Sequence, residues 1–136
     1  MPTITIIGLG LIGTSMGLAI KNSPIKNTTI IGHETHRDTA IRSQKRGAVD
    51  KIERHLPTAV ETAHLVILAT PVMAMQTIFR DIAPHLKPGT IVTDTASTKS
   101  AVMQWADEIL PNNVDFVGGL SLIHISEPTR RTPISY

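Results

Sequence analysis

Cysteine is absent from the 136 residues, which removes disulfides, thiolate nucleophiles and cysteine-type zinc sites at once and suits a reducing compartment. Aromatic residues make up only 3% of the chain, and 13 Lys and Arg stand against 11 Asp and Glu, a formal charge of +2. A nucleic-acid surface wants a basic stripe and stacking rings, so no nucleic-acid partner is expected. Solenoid-type repeats and low-complexity tracts are missing too. No pair of histidines at ligand spacing is backed by a third residue, and no metal centre is expected. One uncharged run, residues 4–20, has the apolarity of a leader or a short membrane span. It has no Lys or Arg before it and is broken by Gly8, Gly10 and Gly13, so both readings are rejected. A soluble cytoplasmic protein without a membrane partner is expected. The length suits one domain with its own core and leaves no room for a second of similar size.

What the run does contain is a strand, a tight turn and a helix start: Thr3-Ile4-Thr5-Ile6-Ile7, then Gly8-Leu9-Gly10-Leu11-Ile12-Gly13. Gly8 permits the turn, Gly10 lets backbone approach a pyrophosphate, and Gly13 lets the helix pack closely on the strand. The free N–H groups at the helix start, around Leu11, Ile12 and Gly13, then face the phosphates. About twenty residues on stands Glu34, where the dinucleotide fingerprint expects an acid. Its carboxylate can accept both hydroxyls of an adenosine ribose and would repel a 2′-phosphate, which favours NAD over NADP. A solvated acid, or a cap on the next helix, is the other reading of Glu34. Arg37, beside His36, could instead greet a 2′-phosphate, so NADP stays open.

Further along, apolar positions Leu11, Ile12, Met16, Leu18, Ala19 and Ile20 predict a first helix buried on most sides and closed by Pro24. Gly13 and Gly17, one turn apart, let that helix sit close to a sheet. Residues 28–32 read as a second buried strand, 35–46 as an exposed polar helix stopped by Gly47, 48–52 as a short third strand, and 56–61 as a loop and short turn. The continuous apolar stretch 64–69 is the strongest strand, as a central parallel strand should be. A helix over 73–86 carries a core stripe of Met75, Ile78, Phe79 and Ile82. Residues 90–94 form a fifth strand, 98–110 a helix with Ala101, Val102, Trp105 and Ile109 facing inward, and 114–117 a sixth strand. Six such alternations predict an α/β fold, a Rossmann-type doubly wound parallel sheet, with Gly13, Glu34, Thr70 and Ser97 at the crevice beyond the strand C-termini.

Taken together, Gly8-Leu9-Gly10-Leu11-Ile12-Gly13-Thr14-Ser15, Ala69-Thr70-Pro71-Val72, Asp94-Thr95-Ala96-Ser97-Thr98-Lys99 and Phe116-Val117-Gly118-Gly119 resemble the nucleotide-binding half of the prephenate and arogenate dehydrogenase family. The resemblance covers residues 3–119. It implies an NAD(P)-dependent oxidative decarboxylation in tyrosine biosynthesis: hydride leaves the hydroxyl-bearing ring carbon for the nicotinamide, a ring carboxylate departs, and the product becomes aromatic. The enzyme mainly orients the reactants and bonds the ring hydroxyl as it changes. By resemblance Ser97 sits beside the nicotinamide and that hydroxyl as the catalytic candidate, and the backbone of Thr70, Pro71 and Val72 lies against the nicotinamide ribose. Helix N-cap is the other reading of Ser97, and Lys99 is assigned no catalytic role.

The family pattern breaks after Gly119. There the family continues Gly-Gly-His-Pro-Met, its histidine being the principal catalytic group, whereas this chain has Leu120. None of its six histidines takes that position. The run from Leu120 to Arg130 resembles a translation of adapter DNA from transposase-based sequencing libraries, so the expected organisation is a cofactor domain over 1–119 and a non-native tail over 120–136. Resemblance also implies a helical C-terminal domain that completes the substrate pocket and a homodimer in the parent enzyme, and a small-molecule substrate, prephenate or arogenate. The chain alone is then expected to bind cofactor and be inactive. Another Rossmann reductase, of hydroxyacid or imine type, and a non-catalytic dinucleotide-binding module are the competing readings.

Overall fold

The chain is seen in a computed structural model that describes residues 2–24, 27–95 and 99–118, with side chains at all but 99 and 100. The expectations placed on Ser97, on Gly119 and on 120–136 lie outside the described residues. Six strands, β1 (Thr3–Ile7), β2 (Thr29–His33), β3 (Lys51–Ile52), β4 (Leu65–Leu68), β5 (Ile91–Asp94) and β6 (Asp115–Val117), alternate with helices α1 (Leu11–Lys21), α2 (Arg37–Lys45), α3 (Leu56–Val60), α4 (Val72–Ile82) and α5 (Lys99–Ile109).

All five strand pairings are parallel and the order is β3-β2-β1-β4-β5-β6. The chain therefore runs outward from β1 to one edge, returns, and runs outward from β4 to the other. Ile4 has Ile30 on one side and Leu65 on the other. Between β1 and β4 the winding direction reverses, and the loops leaving these two strands part to opposite faces and open a crevice.

Successive strand residues point to opposite faces, and here both faces are covered. Ile7, Val66, Leu68, Val92 and Phe116 meet Met75, Phe79 and Ile82 of α4, Val102 and Ala106 of α5, and Leu110 just beyond it in one cluster. Its centre is an edge-to-face pair, Phe79 and Phe116, with centroids 5.8 Å apart. Ile6, Leu9, Ile30 and Ile67 form the other cluster, with Met16, Leu18 and Ile20 of α1 packed against it. Burial on both sides is the reason the strands read as continuous apolar runs.

Several local expectations are corrected. α1 is not buried on most sides: its buried residues are Gly13, Thr14 and Gly17, while Leu11 is 80% and Ile12 55% exposed. A Cβ on Gly13 would lie 1.9 Å from the Gly8 carbonyl oxygen and one on Gly17 2.3 Å from that of Ala48. The helix thus rests on main chain through its smallest residues, and its large side chains are pushed to the flanks or into solvent. β3 shrinks to two residues, because Ala48 and Val49 are buried as a loop. A short helix, α3, replaces the expected turn, started by Pro57 in its first turn. α4 stops at Ile82 and gives way to a 3-10 turn over Ala83–His85 that contains Pro84. On α5 Val102 is buried as expected and Ala106 with it, Leu110 is buried just past the helix end, and Ala101, Trp105 and Ile109 are half-buried beside them.

Candidate dinucleotide site

β1 ends at Ile7 and the chain turns at once through Gly8, whose φ of +98° is open to glycine and strained for other residues. A Cβ there would lie 2.6 Å from the Ala69 carbonyl oxygen. Gly8 N–H donates to His33 O at 2.8 Å, tying the turn to the end of β2. The side chain of Leu9 then plugs into the core under Gly32, whose own Cβ would meet it at 2.7 Å. Gly10 caps α1 and differs from its neighbours: a Cβ on it would find nothing within 4 Å. No side chain caps α1 and its first turn holds no acid. That end therefore presents N–H groups and the positive end of the helix dipole.

Glu34 follows β2 and reaches back to this turn. Its Oε1 accepts the Leu9 N–H at 2.8 Å and its Oε2 accepts the His36 N–H at 2.9 Å, with His36 Nδ1 at 3.2 Å. Burial pushes the carboxyl up, but the two backbone donors and the His36 ring outweigh it, and the group is held below the ordinary carboxylate range. Glu34 is neither simply solvated nor a side-chain cap of α2. A second strut lies behind the turn, where buried Thr14 donates to Leu9 O at 3.0 Å and stands 2.9 Å from the buried Ser43 hydroxyl of α2.

Beyond these groups lies a cleft of about 590 Å³, within the range of small-molecule sites. Gly8 and Gly10 form one wall, Glu34 and His36 another, and Thr70 and Pro71, directly after β4, a third. Leu56 of α3 with Ala74 and Ile78 of α4 gives it an apolar part of its lining, and the exposed Asp81 lines it too. The Thr70 hydroxyl is buried without a partner, an orphan on a residue that faces a polar guest.

Of the sequence candidates the structure brings together Gly8, Gly10, Glu34, Thr70 and Pro71. Leu11 borders an adjoining hollow with Arg42 and Arg46, and Ile12 is exposed beside it. Gly13 is buried against Gly8, and Val72 packs on the larger core. Sequence reasoning missed Leu56, Ala74 and Asp81 and assigned Ile78 wholly to the core stripe. The spacing 74, 78, 81 along α4 is the signal that Ala74, Ile78 and Asp81 share, a helical face beside that of Met75, Phe79 and Ile82. Among the described residues no three His, Asp or Glu gather as metal ligands would, and no helix is long and apolar enough to cross a membrane.

A doubly wound parallel sheet with its glycine turn, bare helix start and strand-end acid facing one crevice defines a nucleotide-binding α/β domain. More particularly, the chain belongs to the prephenate dehydrogenase family, for residues 16–123 match the family model described as prephenate dehydrogenase, nucleotide-binding domain. That match begins beyond the glycine turn, so the turn is read from its own geometry. The chain is 39% identical over 119 residues to a prephenate dehydrogenase of Bacillus subtilis, covering 86% of this chain and 32% of that protein. With a cyclohexadienyl dehydrogenase of Zymomonas mobilis it shares 34% over 111 residues, 82% of this chain and 38% of that one. Among solved structures, Synechocystis arogenate dehydrogenase superposes with a TM-score of 0.74 at 30% identity, over 85% of this chain and 39% of that one. A prephenate dehydrogenase from A. aeolicus, in complex with hydroxyphenyl propionate and NAD+, gives 0.79 at 23% identity over 100% and 46%, a likeness of fold. The chain spans about a third of the length of the curated relatives it matches. Family membership sets aside the hydroxyacid and imine reductase reading.

Proposed function

We propose that this chain is the NAD-binding part of a prephenate or arogenate dehydrogenase. The observation that carries it is the meeting, in one cleft, of the bare start of α1, the open Cβ position of Gly10 and the Glu34 carboxylate bonded to Leu9 N–H. The N–H groups of Leu11, Ile12 and Gly13 hold the diphosphate. Glu34 accepts the adenosine ribose hydroxyls, a carboxylate oxygen having lone pairs beyond those used by Leu9 and His36. Leu56, Ala74 and Ile78 receive the base, while Thr70, Pro71 and Val72 line the path to the nicotinamide ribose. Bound NAD supplies the hydride acceptor. Ser97 is assigned to the substrate hydroxyl, bonding it as the ring carbon is oxidised.

The family's histidine has no counterpart here, since Leu120 follows Gly119, so the chain binds cofactor without turnover. Residues 1–119 are the native cofactor domain and 120–136 a tail from outside the gene. In the full enzyme a C-terminal helical domain completes the substrate pocket and the homodimer, in the cytoplasm. Isothermal titration with NAD and NADP in parallel, on the chain and on Glu34→Ala, tests the reading. Tighter binding of NAD, lost in the variant, supports it, and a folded chain that binds neither overturns it. Resequencing the locus from source DNA tests the tail: His-Pro-Met after Gly119 supports it, an unchanged Leu-Ser-Leu-Ile refutes it.

A further inference from the structure

Asp81 is an acid in an unfavourable place. It lies in the last turn of α4 (Val72–Ile82), where the negative end of the helix dipole disfavours another negative charge. Among the described residues the ion pairs are Lys21 with Asp50 and Glu34 with His36, and the Asp81 carboxylate has no partner. Yet it lines the cleft, and it does so from the same helix face as Ala74 and Ile78. A local choice that costs stability and faces a pocket points to a ligand.

The direction of the bound molecule follows from the groups already placed, and the inference rests on the dinucleotide reading. With the diphosphate at the α1 start and the ribose at Glu34, the apolar lining left for the ring attached to that ribose is Leu56 with Ala74 and Ile78 of α4. Ala74 and Ile78, one turn apart and half-buried, offer it hydrocarbon to rest on. One turn further on, Asp81 offers acceptor oxygens and no donor. An edge that carries two hydrogens on an exocyclic nitrogen suits such a group, and an edge that carries a carbonyl oxygen at the same place does not.

We propose that Asp81 is a specificity-determining residue that reads the exocyclic amino group of an adenine base, so that the cleft selects adenine over an oxo-purine. The probe is nicotinamide hypoxanthine dinucleotide, which replaces that amino group with a carbonyl and leaves the rest of NAD unchanged. Titration of the whole chain with both dinucleotides should show NAD binding about three- to tenfold more tightly, the lower range for a hydrogen bond to a charged group at a partly solvated edge. Asp81→Asn, whose amide both donates and accepts, should remove or invert the preference with little change in melting temperature, because the side chain is exposed. Equal binding of the two dinucleotides by the unaltered chain overturns the proposal without any variant. So does an unchanged preference in Asp81→Asn. A folded chain that binds neither dinucleotide overturns the underlying reading instead, and the two failures are thereby distinct.

Discussion

Replacing Gly10 with alanine should separate binding from folding. Gly10 has φ −73° and ψ −157°, a conformation any residue adopts, and its added Cβ would have no neighbour within 4 Å. The fold therefore has little objection. Alanine is a poorer N-cap than glycine, and the loss is at most about 1 kcal/mol, or about 4 °C in the melting temperature of a domain this size. The diphosphate is another matter, because the methyl group would stand where it passes. Losing one hydrogen bond from the α1 start to a charged oxygen costs about 1.5–3 kcal/mol, a 10- to 100-fold weaker Kd for NAD. Gly13→Ala should behave in the opposite order. Its Cβ would lie 1.9 Å from the Gly8 carbonyl oxygen, with main chain on both sides of the clash. Overpacking costs about 1–3 kcal/mol, more when backbone must move, and the better helix propensity of alanine returns only about 1 kcal/mol. Thermal denaturation and calorimetric titration of both variants suffice. A Gly10→Ala chain with undiminished NAD affinity, or one less stable than Gly13→Ala, would refute the reasoning.

Glu34→Gln should move the ratio of NADP to NAD affinity toward NADP by about 10- to 100-fold, since a carboxylate about 5 Å from a 2′-phosphate at an effective dielectric near 20 repels it by about 3 kcal/mol before screening; parallel titrations read the ratio, and an unchanged one counts against the placement of the ribose. Acid should destabilise the domain through two carboxyls. Burial raises both Glu34 and Asp50, but backbone donors and a cation, His36 for the first and Lys21 for the second, bring the net value below the ordinary range. Their stabilisation is whole above that range and is lost as pH falls through the lowered values, so urea midpoints should drop below about pH 4.5 and drop less steeply in Asp50→Asn. Phe79→Ala, which empties the centre of the larger core, should cost about 3–5 kcal/mol by chemical denaturation, and a loss under about 1 kcal/mol would mean the cluster is misdrawn. Leu11, Ile12 and Met73, 80%, 55% and 86% exposed at the first turns of α1 and α4, should promote self-association; a monodisperse monomer by light scattering at high concentration would contradict this.

The doubly wound parallel sheet and the crevice were legible because they follow from an alternation of apolar runs and helical stretches that sterics and right-handed crossovers restrict to few topologies. That Gly8, Gly10 and Glu34 share one cleft was legible because turn glycines after a first strand and an acid after the second stand at a recognisable spacing. What stayed hidden depends on distance rather than on pattern. Thr14 and Ser43 are ordinary helix residues until the fold sets them 2.9 Å apart. Leu11 and Ile12 look like core by hydropathy, but a helix seated on glycines has no depth to bury them. On α5 the expected inner face held the buried Val102 but missed the buried Ala106, because its half-buried neighbours Ala101, Trp105 and Ile109 are apolar too. Asp81 carried only the helical spacing it shares with Ala74 and Ile78, and looks like one more acid at a helix end until the cleft reaches it.

The seating of α1 on carbonyl oxygens has a bearing on how freely the rest of the sequence can drift. The height of the helix above the sheet is set by Gly13 against Gly8 and Gly17 against Ala48, main chain upon main chain, with side-chain volume scarcely entering. Exchanges among Val, Ile, Leu and Met in either core can then repack locally while the start of α1 stays in register with the turn before it. The domain can thereby absorb much neutral change in its interior, at the price of having almost none to spare at two small positions.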